Sequence, residues 1–251
     1  MGGKFAGKVA LVTGASRGLG VAIANAFADE GADVAITYVS SDEKAQAVIA
    51  GLEAKGTRVR AFKSDQADPA AAEVLIADII KHFGKLDILV NNAALGVAGK
   101  LLDDPTIDTA ALDRMWAVNV TGAIANIRAA AKVLPEGGRI INIGSSVSVR
   151  IPFPGITDYG ATKHALAGYT KGAARDLGYR KITVNVVQAG MMATDQSGLT
   201  PETITDAMLD HLSIRRMCEL EEVAAMVLFI ASPEASYTTG SIIDVTGGSL
   251  T

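Results

Sequence analysis

Residues 9–20, Val-Ala-Leu-Val-Thr-Gly-Ala-Ser-Arg-Gly-Leu-Gly, run an apolar strand pattern straight into three glycines and then into the amphipathic stretch Val21–Asp29. That junction leaves the chain few folds. A strand that leaves a glycine turn as a helix brings backbone N–H groups and a helix N-terminus up to a pyrophosphate, because glycine permits close backbone approach. Three glycines alone are a weak signal. Set between a strand and a helix, Gly14, Gly18 and Gly20 point to a dinucleotide site.

The same alternation continues along the chain. Strands are predicted at Val9–Thr13, Asp33–Tyr38, Arg58–Phe62, Leu86–Val90, Arg139–Ile143, Ile182–Val187 and Ser241–Val245. Helices are predicted at Gly18–Glu30, Asp42–Lys55, Asp68 to about Phe83, Thr109–Leu134, Asp158–Leu177 and Glu219–Ala231. Short apolar strands separated by helices of ten or more residues describe a parallel sheet covered on both faces. The expected fold is α/β: a single Rossmann-like domain over residues 1–251, a three-layer sandwich with a parallel sheet of about seven strands. Residues 191–217, polar and methionine-bearing, read as a substrate lid inserted over the site, with a rigid structural cap as the alternative.

Composition narrows the partners. With 251 residues and 49% hydrophobic content the chain can bury one large core. A formal net charge of -4 offers no basic surface for a nucleic-acid backbone, so no nucleic-acid partner is expected. The sequence shows no signal peptide and no long apolar span, which suits the cytoplasm and no membrane partner. Cys218 is the single cysteine, so an internal disulfide and a cysteine-only metal site are excluded. His82, His164 and His211 fall on separate elements, and no metal is expected.

The second strand decides between the nicotinamides. A site for a free ribose 2'-hydroxyl calls for an acid near the end of that strand. Here stands Tyr38-Val39-Ser40-Ser41, and Asp42 serves the first turn of the next helix. Arg17 and the Ser40 hydroxyl suit a 2'-phosphate, so NADP(H) is expected over NAD(H); a merely solvated Arg17 is the bland alternative.

The chemistry lies in Ile143-Gly-Ser-Ser146, followed thirteen residues later by Tyr159-Gly-Ala-Thr-Lys163. Tyr159 and Lys163 stand four apart and share one helix face. A phenol with an ordinary pKa near 10 ionises more readily beside an ammonium, so Tyr159 can pass a proton to a carbonyl oxygen and take it back in reverse. Ser146 can hydrogen-bond the same oxygen as charge develops.

Together, Thr13–Gly20, Asn91-Asn-Ala93, Asn119, Ser146, the Tyr159/Lys163 pair and Asn185–Gly190 resemble the short-chain dehydrogenase/reductase family over essentially the whole chain. The resemblance is strongest to the branch that includes the bacterial 3-oxoacyl carrier-protein reductases. It implies Tyr159 as acid/base, and Lys163 as the group that lowers its pKa and holds the nicotinamide ribose. It implies that Ser146 orients the carbonyl and that Asn119 holds a relay water. The cofactor set it implies is Gly14, Ser16, Arg17, Gly18, Leu19, Gly20, Ser40, Asp65, Gln66, Asn91, Ala93, Tyr159, Lys163, Gly190 and Thr194. Within it, Asp65 meets the adenine while Asn91 and Ala93 line the adenosine side. Two positions depart from the family pattern. Ala94 stands where glycine is usual and is expected to restrict the backbone beside the cofactor; Ala189 stands where proline is usual and is expected to loosen the start of the excursion.

Val147, Val149, Ile151, Phe153, Met191, Met192, Leu199 and Leu209 make an apolar pocket the expectation. The partner is then a small-molecule carbonyl or alcohol, a hydrophobic ketone or an acyl thioester. By resemblance the chain forms a homotetramer, with a dimer as the alternative. The expected function is NADPH-dependent carbonyl reduction; an NAD-linked alcohol or sugar dehydrogenase and a nucleotide-binding regulator are the competing readings.

Overall fold

The computed structural model describes residues 3–195, 197–200 and 202–250. The expected excursion, 191–217, contains Gln196 and Pro201, which lie outside the described residues. The elements are β1 (Val9–Val12), α1 (Gly18–Asp29), β2 (Asp33–Tyr38), α2 (Asp42–Glu53), β3 (Val59–Lys63), α3 (Ala71–Phe83) and β4 (Ile88–Asn91). There follow α4 (Thr109–Trp116), α5 (Ala123–Val133), β5 (Arg139–Ser145), α6 (Thr157–Leu177), β6 (Thr183–Ala189), α7 (Asp206–Leu209), α8 (Leu220–Ala231) and β7 (Ile242–Val245).

Among the described residues the strands form one seven-stranded sheet in the order β3-β2-β1-β4-β5-β6-β7. Every pairing is parallel. Because side chains alternate along a strand, β1 feeds two cores at once. Ala10 and Val12 pack with Ile23, Phe27, Val223 and Val227 on the α1/α8 face, while Val9 and Leu11 pack with Ile79, Ile127, Ala130 and Leu166 on the α3/α5/α6 face. The strand order reverses between β1 and β4, where an open α/β sheet leaves a crevice beyond the carboxyl ends of its strands.

Two local features depart from the sequence pattern. The long helix over Thr109–Leu134 is interrupted by a π-helical turn, Ala117–Gly122. Tertiary packing explains the glycine there: a Cβ on Gly122 would fall 1.7 Å from the Gln66 carbonyl oxygen. Strand β5 runs two residues beyond Ile143, its pairing with β6 continuing through Gly144↔Gln188 and Ser145↔Ala189. That extension brings a second serine, Ser145, to the site. No helix among the described residues is long and apolar enough to cross a membrane.

Candidate active site

The carboxyl ends of the central strands open on a cleft of about 690 Å³. The glycine loop forms one wall by necessity. Gly14 and Gly18 hold positive φ, +65° and +54°. A Cβ on Gly20 would lie 2.7 Å from the Ala15 Cα and 2.8 Å from the Gly14 carbonyl oxygen. Arg17 precedes α1 without a side-chain cap, and no acid occupies the first turn of that helix. An uncapped helix N-terminus behind a loop without Cβ atoms fits an anionic pyrophosphate.

Of the residues expected to hold a dinucleotide, Gly14, Ser16, Arg17, Gly18, Leu19, Gly20, Ser40, Asp65, Gln66, Ala93, Tyr159, Lys163, Gly190 and Thr194 all line this cleft. Burial acts against ionisation of Asp65, but the Ala67 N–H and the Arg114 guanidinium, 2.9 Å away, outweigh it and hold the carboxyl below its ordinary range. Asn91 is the exception, and here the expectation is corrected. It is buried in the sheet-to-helix layer, its Nδ2 donating to Asn142 Oδ1 (2.9 Å) and its Oδ1 accepting from Asn126 Nδ2 (3.2 Å). Asn91 ends β4, so the next residue takes the other direction. Asn92 lines the cleft instead and donates to the Thr13 carbonyl at 2.8 Å.

Asn126 and Asn142 went unmarked in the sequence, although an amide in the apolar run Ile140-Ile-Asn-Ile143 carries a signal, since a buried amide demands partners. The partners form a chain. Gln66 Nε2 donates to the Ala93 and Val118 carbonyls, its Oε1 accepts from Asn126, and Asn142 donates to Thr170 Oγ1 on α6. The floor of the cleft is thus tied to the helix that carries Tyr159.

Asn119 sits on the π turn, 2% exposed and outside the cleft lining. Its Oδ1 accepts the Leu95 N–H and its Nδ2 donates to the Leu95 carbonyl, both at 2.8 Å, and to Thr162 Oγ1 at 3.1 Å. The side chain ties the loop after β4 to α6.

Tyr159 and Lys163 lie one turn apart on α6, with Lys163 Nζ 5.8 Å from the phenol ring centroid. The ammonium is buried and donates to the Ile143 carbonyl at 3.0 Å; burial pulls its pKa down to about 8. Burial also raises the Tyr159 phenol, with a hydrogen bond to Ser145 pulling the other way. Desolvation is the first influence on the phenol in this cleft, and it acts against the lowering expected from Lys163.

That contact brings a second serine to the tyrosine. Ser146, the serine expected opposite Tyr159, lines the cleft and begins a 3-10 turn, Ser146–Ser148. Ser145, the last residue of β5, carries the hydroxyl that meets the phenol. Fourteen residues separate Ser145 from the tyrosine, and the sheet register holds Ser145 opposite Ala189.

At the far end, Val147, Phe153, Met191, Met192 and Leu199 line the cleft as expected, joined by Met208. Val149 and Ile151 are instead exposed surface, and Leu209 lies outside the cleft lining. Among the described residues Lys181 is the one non-glycine with positive φ, so Ala94 adopts an ordinary backbone without strain. Ala189 is the last residue of β6, paired to Ser145 and Val245, so the excursion begins just beyond the sheet.

The buried ammonium has a measurable consequence. Below about pH 8 Lys163 is charged in both folded and unfolded chains, and the folded state carries the desolvation cost; between about 8 and the unfolded value near 10.4 that cost fades. Lys163→Met is expected to gain thermal stability relative to the parent at pH 7 and to lose that advantage progressively from pH 8 to 10. A difference in Tm that does not change with pH would contradict the burial argument.

The comparisons with known proteins agree with this geometry. The chain superimposes on a short chain dehydrogenase from Burkholderia cenocepacia J2315, in complex with NADP, with a TM-score of 0.93 and 45% identity over 99% of this chain and 100% of that one. This chain belongs to the short-chain dehydrogenase/reductase family. A family model described as enoyl-(acyl carrier protein) reductase matches residues 14–249. Among curated members of the family, the chain is 39% identical to the cyclic-di-GMP-binding biofilm dispersal mediator protein of Escherichia coli K12, over 98% of each. It is 37% identical to the 3-oxoacyl-[acyl-carrier-protein] reductase FabG of Staphylococcus aureus, over 96% of this chain and 97% of that one.

Proposed function

We propose that this short-chain dehydrogenase/reductase is an NADPH-dependent carbonyl reductase, converting a ketone reversibly to a secondary alcohol. The observation that carries the reading is the meeting of the Ser145 hydroxyl and the Tyr159 phenol beside Lys163, in the cleft that the glycine loop walls. The NADP named with the Burkholderia structure supports the cofactor, and the absence of an acid in Tyr38–Ser41 supports the 2'-phosphorylated form. The glycine loop would hold the pyrophosphate, Arg17 and Ser40 the 2'-phosphate, Asp65 and Gln66 the adenosine side, and Lys163 the nicotinamide ribose. NADPH, when bound, supplies the hydride.

The chain's own residues then manage the proton. Tyr159, a phenol whose ordinary pKa near 10 leaves it protonated at neutral pH, donates its phenolic proton to the carbonyl oxygen. Ser145 donates a hydrogen bond to the same oxygen and stabilises its developing charge. The Lys163 cation beside the ring offsets the phenolate left behind. In the oxidative direction the same groups run in reverse.

The methionine- and phenylalanine-lined end favours a hydrophobic ketone or a 3-oxoacyl thioester, the second supported by the reductase name of the Staphylococcus aureus relative. The excursion is read as the substrate lid, the assembly as a homotetramer with a dimer as the alternative, and the setting as cytoplasmic. A second reading, a nucleotide-binding regulator, is favoured by the name of the Escherichia coli relative. Turnover separates the two. Initial rates of NADPH oxidation with acetoacetyl thioesters, beta-keto esters, aryl and cyclic ketones and sugars are expected to rise above a Tyr159→Phe control for the apolar classes. Rates equal to the control on every class, with normal NADPH binding, would overturn the reductase in favour of the regulator.

A further inference from the structure

Asp195 belongs to the excursion and lines the cleft, yet its carboxylate turns to the nucleotide half of the molecule. One oxygen, Oδ2, lies 3.2 Å from Lys44 Nζ in the first turn of α2 and 3.8 Å from Arg17 Nη1 in the glycine loop. All three side chains are more than half exposed, so a ligand can reach the cluster. The other acid among the described lining residues, Asp65, is already matched by Arg114. Arg17, in the glycine loop, and Ser40, just after β2, line the same cleft and are the pair assigned to the 2'-phosphate of the proposed cofactor. Thr194, the neighbour of Asp195, approaches the glycine loop, its methyl 3.7 Å from where a Gly18 Cβ would stand.

We propose that Asp195 is an internal competitor for the 2'-phosphate and that Lys44 is a further ligand of that phosphate. This rests on the NADP(H) reading. A carboxylate and a phosphate monoester of about -2 charge cannot share one cationic pair without repulsion, and the phosphate, with more charge and more acceptor oxygens, displaces the carboxylate. Asp195 therefore sets how strongly the site prefers the phosphorylated dinucleotide. Binding of that form breaks an ion-pair tie between the excursion and α2, whereas a dinucleotide with a free 2'-hydroxyl leaves the tie in place.

Fluorescence titrations of NADPH and NADH, with 2',5'-ADP and 5'-AMP as short probes, test this without turnover. Asp195→Asn is expected to tighten NADPH and 2',5'-ADP about two- to fivefold, the range for exposed ion pairs, and to leave NADH and 5'-AMP unchanged. Lys44→Gln is expected to weaken the phosphorylated pair by a similar factor and to spare the others. Both effects shrink in about 0.5 M salt, where exposed charges are screened. A melting curve for each variant checks folding. If the parent prefers NADPH but Asp195→Asn leaves it unchanged, or tightens both nucleotides alike, the competitor is overturned and the cofactor reading stands. If the parent binds NADPH and NADH equally and Arg17→Gln alters neither, the cofactor reading itself falls and the competitor with it.

Discussion

Tyr159→Phe is expected to lower kcat for ketone reduction about 10³-fold, within the range for removing a positioned proton donor, while the Kd for NADPH changes less than about twofold. The substitution removes one oxygen and keeps the ring, so the packing beside Lys163 persists. The lost group is a phenol that is protonated at neutral pH by its ordinary pKa, and protonation is what reduction requires of it. Lys163 sits one helical turn away and is held by the Ile143 carbonyl, so it is not placed where the phenol oxygen stood. Stopped-flow or steady-state oxidation of NADPH reads the rate, and fluorescence titration reads binding. Activity within tenfold of the parent would place the proton source elsewhere.

The second large effect separates two adjacent serines. Ser145→Ala is expected to cost about 10²-fold in kcat, the order found on removing one donor to a developing oxyanion. Ser146→Ala is expected to cost less than about threefold, since its residue starts the 3-10 turn and the Tyr159 hydrogen bond belongs to Ser145. Comparable NADPH binding in both variants locates the difference in chemistry. The reverse order of effects would restore Ser146 to the role that its spacing from Tyr159 suggested.

Much of the fold was legible because it rests on local rules. The glycine loop at Gly14–Gly20 and the alternation of apolar strands with helices gave the parallel sheet and the position of its crevice. Spacing within α6 placed Tyr159 and Lys163 together, since four residues make about one turn whatever the helix packs against. What escaped depended on where strands stop. Two further residues of β5 pairing brought Ser145 into the cleft beside the expected Ser146, and the end of β4 exchanged Asn91 for Asn92 in the cleft wall. A period of two makes the second of these a change of face.

Contacts between distant segments were beyond local pattern. The amide chain joining Gln66, Asn126, Asn91 and Asn142 to Thr170 closes separations of tens of residues, and only its polar residues in apolar surroundings hint at it. The glycine that closes the π turn at Ala117–Gly122 is required by close packing on the Gln66 backbone, which no helical propensity reports. The Lys44–Asp195 pair spans 151 positions, so the charge facing the nucleotide half became visible only in three dimensions. The balance at Tyr159 is of the same kind: proximity to an ammonium is a matter of spacing, but desolvation depends on everything packed around the ring.

The most direct measurement is label transfer. NADPH carrying deuterium at both positions of the dihydronicotinamide C4 would be incubated with the best ketone of the panel, and the alcohol analysed by mass spectrometry. One deuterium on the carbinol carbon, formed by the parent and suppressed in Tyr159→Phe, is the expected result. Alcohol without deuterium, or label transfer undiminished in Tyr159→Phe, would contradict hydride reduction assisted by this site.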